Sequence, residues 1–286
     1  MAHLKGFVPK RVKRWLPHTL PIYYRLATSK FRASPDFIII GAQKSGTSSL
    51  FHFLSQHPQI LPSHNKEVHF FDGGLEPRIN NYLKGLAWYR AHFPIQWTRR
   101  KKYISGEASP LYIFNPLVPR RLYKTLPNIK LIAILRNPSD RAVSHYFHEK
   151  RKGRETLSLM EALESEEERI DQFVKKRDYK NFNFIHFSYK KRGIYKEQLE
   201  RYFSLFDREN ILILNSEEFF ENPRKVLSEI FNFLGVNIDA EIRDLSSKNV
   251  TINREKVEDC VYEYLNKYFS MHNEELFEFL NRRFDW

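Results

Sequence analysis

The chain has a single cysteine, Cys260, among 286 residues, which rules out any disulfide within it. It lacks the run of about 18 or more apolar residues that a membrane-spanning helix needs, and its N-terminus has no apolar signal-peptide core. No internal repeat or low-complexity tract is present. Acidic residues are outnumbered, 34 against 47 Lys and Arg, for a formal charge of +13, and none occurs before Asp36. These absences leave a globular chain, 42% hydrophobic and 15% aromatic, long enough to bury a large core and poised to meet an anion.

The most informative stretch runs from Phe37 to Leu50. Phe37-Ile38-Ile39-Ile40 reads as a buried strand, broken by a loop between Gly41 and Gly46 and followed by a helix with apolar Leu50, Phe51 and Leu54. A strand-loop-helix of this kind aims backbone N–H groups and the positive end of a helix dipole at one point, which suits a phosphate. The nucleotide P-loop, G-x-x-x-x-G-K-[ST], shares the glycine spacing and the final hydroxyl, here Ser48. Thr47 replaces its lysine, however, and the only lysine sits inside the loop as Lys44. An ATPase needs that lysine on the β- and γ-phosphates, so the altered loop predicts a donor with a single phosphate at this position.

A second apolar strand, Lys130 to Leu135, ends in Arg136-Asn137-Pro138-Ser139-Asp140-Arg141. Asn137 suits an N-cap and Pro138 the first helical position. An NTPase would end this strand in an acidic residue for Mg²⁺. Arginine here offers a bidentate grip on phosphate without a metal.

Together these segments resemble the sulfotransferases that use 3′-phosphoadenosine 5′-phosphosulfate (PAPS), and most closely their carbohydrate branch, the heparan sulfate N- and 3-O-sulfotransferase type. Gln43 to Ser48 resembles that family's 5′-phosphosulfate loop, and Leu135 to Ser144 its 3′-phosphate motif. Glu67-Val68-His69-Phe70-Phe71-Asp72 matches the segment that supplies the catalytic carboxylate. Trp88-Tyr89, Gly106-Glu107-Ala108-Ser109-Pro110 and Phe284-Asp285-Trp286 fall where the family has them. The likeness runs from about Asp36 onward.

The resemblance implies PAPS as co-substrate, no metal, and in-line transfer of a sulfuryl group to a hydroxyl or amine. Lys44 and the amides of Ser45 to Ser48 would face the bridging oxygen and the 5′-phosphate, with Gly46 shaping the loop and Thr47 and Ser48 adding hydroxyls. Arg136 and Ser144 would hold the 3′-phosphate, and Tyr195 and Lys248 would complete the nucleotide site. Glu67 is the expected general base, a partly buried carboxylate with a raised pKa, although a pairing with Lys66 or a capping role also fits the sequence. His69 is the alternative base, or the residue that orients Glu67. The heparan-type enzymes carry a lysine where this chain has Ala108, which argues against heparan sulfate itself as acceptor while leaving sulfuryl transfer intact. A carbohydrate, a glycolipid or another small acceptor all fit.

Expected strands are Phe37–Ile40, Tyr103–Gly106, Leu131–Leu135 and Ile211–Asn215, with helices over Gly193–Phe206 and Pro223–Leu234. Alternation of this kind predicts an α/β fold, a central parallel β-sheet flanked by helices, P-loop-like in its nucleotide site. We expect a basic N-terminal arm over 1–35 and one catalytic domain over 36–286. The arm, with Trp15, Leu16, Tyr23 and Tyr24 among its cations, suits contact with an anionic membrane surface or with the acceptor. The acidic run Glu161 to Glu168 reads as a solvent face. The lone cysteine favours a reducing, cytoplasmic compartment. Two rivals remain: a P-loop kinase or NTPase, and a nucleic-acid binder attracted by the net charge. The second lacks any nucleic-acid motif, and a basic stretch at Arg99-Arg100-Lys101-Lys102 is its only support.

Overall fold

The computed structural model describes residues 22–95, 103–248 and 256–286. The first 21 residues of the basic arm, Trp15 and Leu16 among them, and the stretch Arg99 to Lys102 lie outside the described residues.

Five strands form one all-parallel sheet: β1 (Phe37–Gly41), β2 (Ile60–Pro62), β3 (Ile104–Ala108), β4 (Lys130–Leu135) and β5 (Ile211–Asn215). Their spatial order is β2-β3-β1-β4-β5. β1 leads towards β2 and β3, whereas β4 leads away to β5. The switch point of the topology therefore lies between β1 and β4, where ligands of open parallel sheets bind.

The helices are α1 (Thr47–Ser55), α2 (Gly85–Arg90), α3 (Val118–Thr125), α4 (Pro138–Arg151), α5 (Leu159–Glu164), α6 (Glu166–Lys175), α7 (Phe182–His186), α8 (Tyr195–Phe203), α9 (Ser216–Glu221), α10 (Pro223–Leu234) and α11 (Asp259–Leu280). They cover both faces of the sheet, as the period-2 alternation of strand side chains requires. Phe37, Ile39, Ile132 and Ile134 pack with Leu50 and Phe53 of α1 and Ile230 and Phe231 of α10. Ile38, Ile40, Leu131 and Ala133 pack on the other face with Leu122 of α3, Leu199 and Tyr202 of α8, and Phe277 of α11. Every residue of β1 is buried, which explains its unbroken apolar run.

The four expected strands are present within one to two residues. β2 was not expected: it is three residues long and ends in Pro62, too short to show a period. The helix expected over Gly193–Phe206 begins at Tyr195 after a 3₁₀ turn over Lys191–Gly193. The acidic run is only partly a solvent face. Glu161 completes a capping box with Ser158, but Glu166 is buried and accepts the amides of Lys190 and Lys191, at 2.5 and 2.8 Å. Two cations of the N-terminal arm are also spent on the fold. Arg25 Nε donates to the Ala91 carbonyl at 2.6 Å, and Arg32 Nη1 donates to that of Phe93 at 2.8 Å. Tyr23, Tyr24 and Phe31 are exposed. Among the described residues no helix is long and apolar enough to cross a membrane.

Candidate active site

The loop after β1 turns at Gly46, whose φ of 96° is left-handed. A Cβ there would fall 2.9 Å from the Phe220 ring, so both conformation and space demand glycine. No side chain caps α1, and the first amides of a helix have no intrahelical acceptor. The amide of Ser45, in contrast, is bonded to the Ala42 carbonyl at 3.2 Å, and its side chain is buried. The expected row of amide donors thus narrows to the turn at Gly46 and the start of α1.

Across the switch point, Asn137 caps α4 by accepting from the amide of Ser139 at 2.9 Å, and Pro138 begins the helix. Arg136 is carried past the end of β4 and reaches the Lys44 carbonyl at 3.4 Å. A cavity of about 550 Å³ opens here, lined by Lys44, Gly46, Thr47, Ser48, Arg136 and Ser144, and closed by Phe220 and Tyr262. Seven of the expected donor contacts therefore converge on one cavity, with Lys248 as the seventh. The Lys248 ammonium is tied to Asp244 at 2.8 Å, and its amide donates to Ser49 Oγ at 2.8 Å.

Tyr195 is not among the lining residues. It is 1% exposed, and its hydroxyl donates to the Arg136 carbonyl at 2.9 Å. Its place is behind the site, where it holds the turn that presents Arg136.

A second cavity of about 550 Å³ shares Lys44, Thr47 and Ser48 with the first. Its far wall carries Glu67 and His69. Glu67 Oε1 lies 2.5 Å from Lys66 Nζ, its Oε2 lies 3.5 Å from His69 Nε2, and His69 Nδ1 donates to Asp72 Oδ2 at 2.6 Å. The charges alternate: ammonium, carboxylate, imidazole, carboxylate. Burial opposes charge on His69, but Asp72 and Glu67 outweigh it and raise the imidazole to about 10. Burial also acts to raise Glu67, yet the His69 contact and Lys66 prevail and lower it to about 2. The expectation of a raised Glu67 is thus reversed, because Lys66 and His69 close on the carboxylate from both sides. The alternative pairing of Glu67 with Lys66 is present. Asp72 and Glu67 thus both favour the protonated form of His69.

Lys44 is lowered to about 8, first by burial and then by Arg151, Arg136 and other nearby cations. Sequence reasoning missed Arg151, Lys152 and Arg154, most of the second cavity's cationic wall, to which Lys66 and Arg192 also contribute. Part of it could have been found, since His148 and Arg151 follow Ser144 of the first cavity at helical i+4 and i+7 spacing on α4. Arg192 Nη1 bonds Gln43 Oε1 and so braces the donor loop. Ala108 is buried in the apolar layer with Ile39 and Leu50 and places no charge in either cavity.

A glycine turn at a helix start, an arginine past the end of β4 and a carboxylate across a shared wall are what a group-transfer enzyme with an anionic donor requires. The chain belongs to the sulfotransferase domain family, which matches residues 34–282, and it is a sulfotransferase. It is 28% identical over 276 residues to heparan sulfate glucosamine 3-O-sulfotransferase 5 of Mus musculus, covering 88% of this chain and 74% of that one. It is likewise 28% identical over 326 residues to the membrane-associated sulfotransferase kil1 of Dictyostelium discoideum, covering 90% and 67%. Among solved structures, a sulfotransferase from Alicyclobacillus acidocaldarius superposes with a TM-score of 0.71 at 34% identity, covering 88% of this chain and 98% of that one.

Proposed function

We propose that the protein moves a sulfuryl group from PAPS to a hydroxyl, or an amine, of an anionic carbohydrate or glycolipid. The observation that carries this reading is the shared wall. Lys44, Thr47 and Ser48 line both the cavity that holds Arg136 and Ser144 and the cavity that holds Glu67 and His69. A donor whose 3′-phosphate lies on Arg136 and Ser144, with its 5′-phosphate at the start of α1, would present its sulfate across that wall.

Charge then develops on the oxygen joining phosphate to sulfur, and Lys44 is the cation beside it. Lowered to about 8, Lys44 retains its proton at neutral pH, and a polyanionic donor would raise it further. On the acceptor side, Glu67 takes the proton as the nucleophile attacks. A carboxylate at about 2 is a weak base at rest. An anionic acceptor that drew Lys66 towards itself would remove one of the two cations that depress it. The wall of Arg151, Lys152 and Arg154 favours such an acceptor. His69, held protonated by Asp72, orients Glu67. The exposed Tyr23, Tyr24 and Phe31, following a strongly basic segment, fit contact with an anionic membrane on which a glycolipid acceptor would reside.

The test is a panel of carbohydrate and glycolipid acceptors incubated with sulfur-labelled PAPS in the presence of a chelator. Label should pass to an acidic carbohydrate or glycolipid with the wild-type protein and not with Glu67→Gln. Equal labelling by both would remove Glu67 as base. A kinase or NTPase would instead consume ATP with Mg²⁺.

A further inference from the structure

Glu67 and His69 both hold left-handed backbone angles, with φ of 62° and 50°. For residues other than glycine this costs about 1–3 kcal/mol each, so the surroundings must hold the segment in place. The holding groups come from the end of β3. The Glu67 amide donates to the Ala108 carbonyl at 2.9 Å. The His69 amide donates to Ser109 Oγ at 3.3 Å, and the amides of Phe70 and Phe71 donate to the Tyr112 hydroxyl at 2.8 and 3.3 Å. Three consecutive amides thus rest on two side-chain hydroxyls.

Both hydroxyls lean on one carboxylate. Ser109 Oγ donates to Glu107 Oε2 at 2.8 Å, and the Tyr112 hydroxyl approaches Oε1 at 3.4 Å, where Tyr89 also donates at 2.7 Å. Glu107, Ser109 and Tyr112 are all fully buried. A hydroxyl has one proton and two lone pairs. Once its proton is committed to the carboxylate, its lone pairs are fixed towards the backbone amides. A buried acid is costly, and burial pushes Glu107 up to about 7 despite its bonds to Tyr89 and Ser109. Packing alone does not account for a carboxylate in such a place.

We infer that Glu107 is a positioning residue: its carboxylate locks the Ser109 and Tyr112 hydroxyls as acceptors for the His69, Phe70 and Phe71 amides, and so sets the Glu67–His69 pair across the shared wall. That this pair serves proton removal rests on the reading given above.

The test reads His69 directly and needs no acceptor. In the whole protein with isotope-labelled histidine rings, the His69 resonance is assigned by its loss in His69→Gln and titrated by NMR. The wild-type midpoint is expected near 10, set by Asp72 on one side and Glu67 on the other. In the double variant Ser109→Ala/Tyr112→Phe it should fall by about one pH unit or more, a tenfold weaker hold on the proton. Glu107→Leu should give the same fall, and Glu107→Gln, whose amide oxygen still accepts, should recover most of it. Affinity for adenosine 3′,5′-bisphosphate should stay within about twofold throughout, because the donor cavity is built by other elements. An unmoved midpoint in variants that unfold cooperatively overturns the inference, as does a fall matched by equal loss of nucleotide affinity. Should Glu107→Leu not fold, the two hydroxyl deletions decide alone. Since no turnover is read, this result and the sulfuryl-transfer reading stand or fall separately.

Discussion

The two walls of the site are built on different principles. The donor wall is local in sequence: Gly41 to Ser48 is one unbroken strand-loop-helix, and Arg136 to Ser144 is another. Its chemistry comes from backbone geometry, helix starts and fixed cations, so it can be read from spacing. The wall that carries Glu67 and His69 is assembled at a distance. Glu67 lies between Lys66 and His69, His69 leans on Asp72, and the whole segment hangs from Ser109 and Tyr112 some forty residues later, the His69–Ser109 separation being 40. The contrast teaches that an anion site made of main-chain donors leaves a motif, whereas a tuned carboxylate leaves only its own letter.

The comparison is broken most sharply by removing one group from each wall. Glu67→Gln should reduce sulfuryl transfer by about 10²–10⁴-fold, the usual worth of a general base, with nucleotide affinity unchanged by calorimetry. Retained transfer would merge the two walls into one. Lys44→Met should lower turnover by about 10²–10³-fold, as the loss of one oxyanion donor does. Arg136→Ala should weaken adenosine 3′,5′-bisphosphate by about 10–100-fold, the loss of charge-assisted hydrogen bonds, and leave the 3′-dephospho analogue nearly untouched. Equal losses for both nucleotides would move Arg136 off the 3′-phosphate.

A smaller effect sharpens the picture through pH. Bound phosphate favours the ammonium form of Lys44, so its pKa rises on binding. Nucleotide affinity should then be full below about 8 and fall as pH climbs past that value, where Lys44 loses its proton before phosphate binds. The fall should vanish in Lys44→Met. Lys248→Ala should matter least, within about threefold, because its ammonium is already paired with Asp244 at 2.8 Å.

How much was legible follows the same division. The parallel sheet, the loop at Gly41 and the helix that opens after Arg136 could be read because apolar runs and capping residues are local signals. β2 could not, since three residues ending in Pro62 carry no period. A tyrosine at a helix start looks the same in sequence whether it faces a ligand or braces a backbone carbonyl, as Tyr195 does that of Arg136. Glu166 was taken for a solvated acid, and nothing in a run of glutamates marks the one that turns inward to accept two amides. The direction of the Glu67 shift depended on Lys66 and His69 closing on the same carboxylate, which requires the left-handed turn that neither residue type announces.

The claim on which the rest depends is that the donor wall grips a doubly phosphorylated adenosine without a metal. Titration calorimetry with chelator present tests it most directly, comparing adenosine 3′,5′-bisphosphate with ATP on the wild-type protein and on Arg136→Ala. The account predicts saturable binding of the bisphosphate that survives the chelator and collapses in Arg136→Ala, with ATP far weaker. Binding of ATP that requires Mg²⁺, with no heat from the bisphosphate, would contradict it.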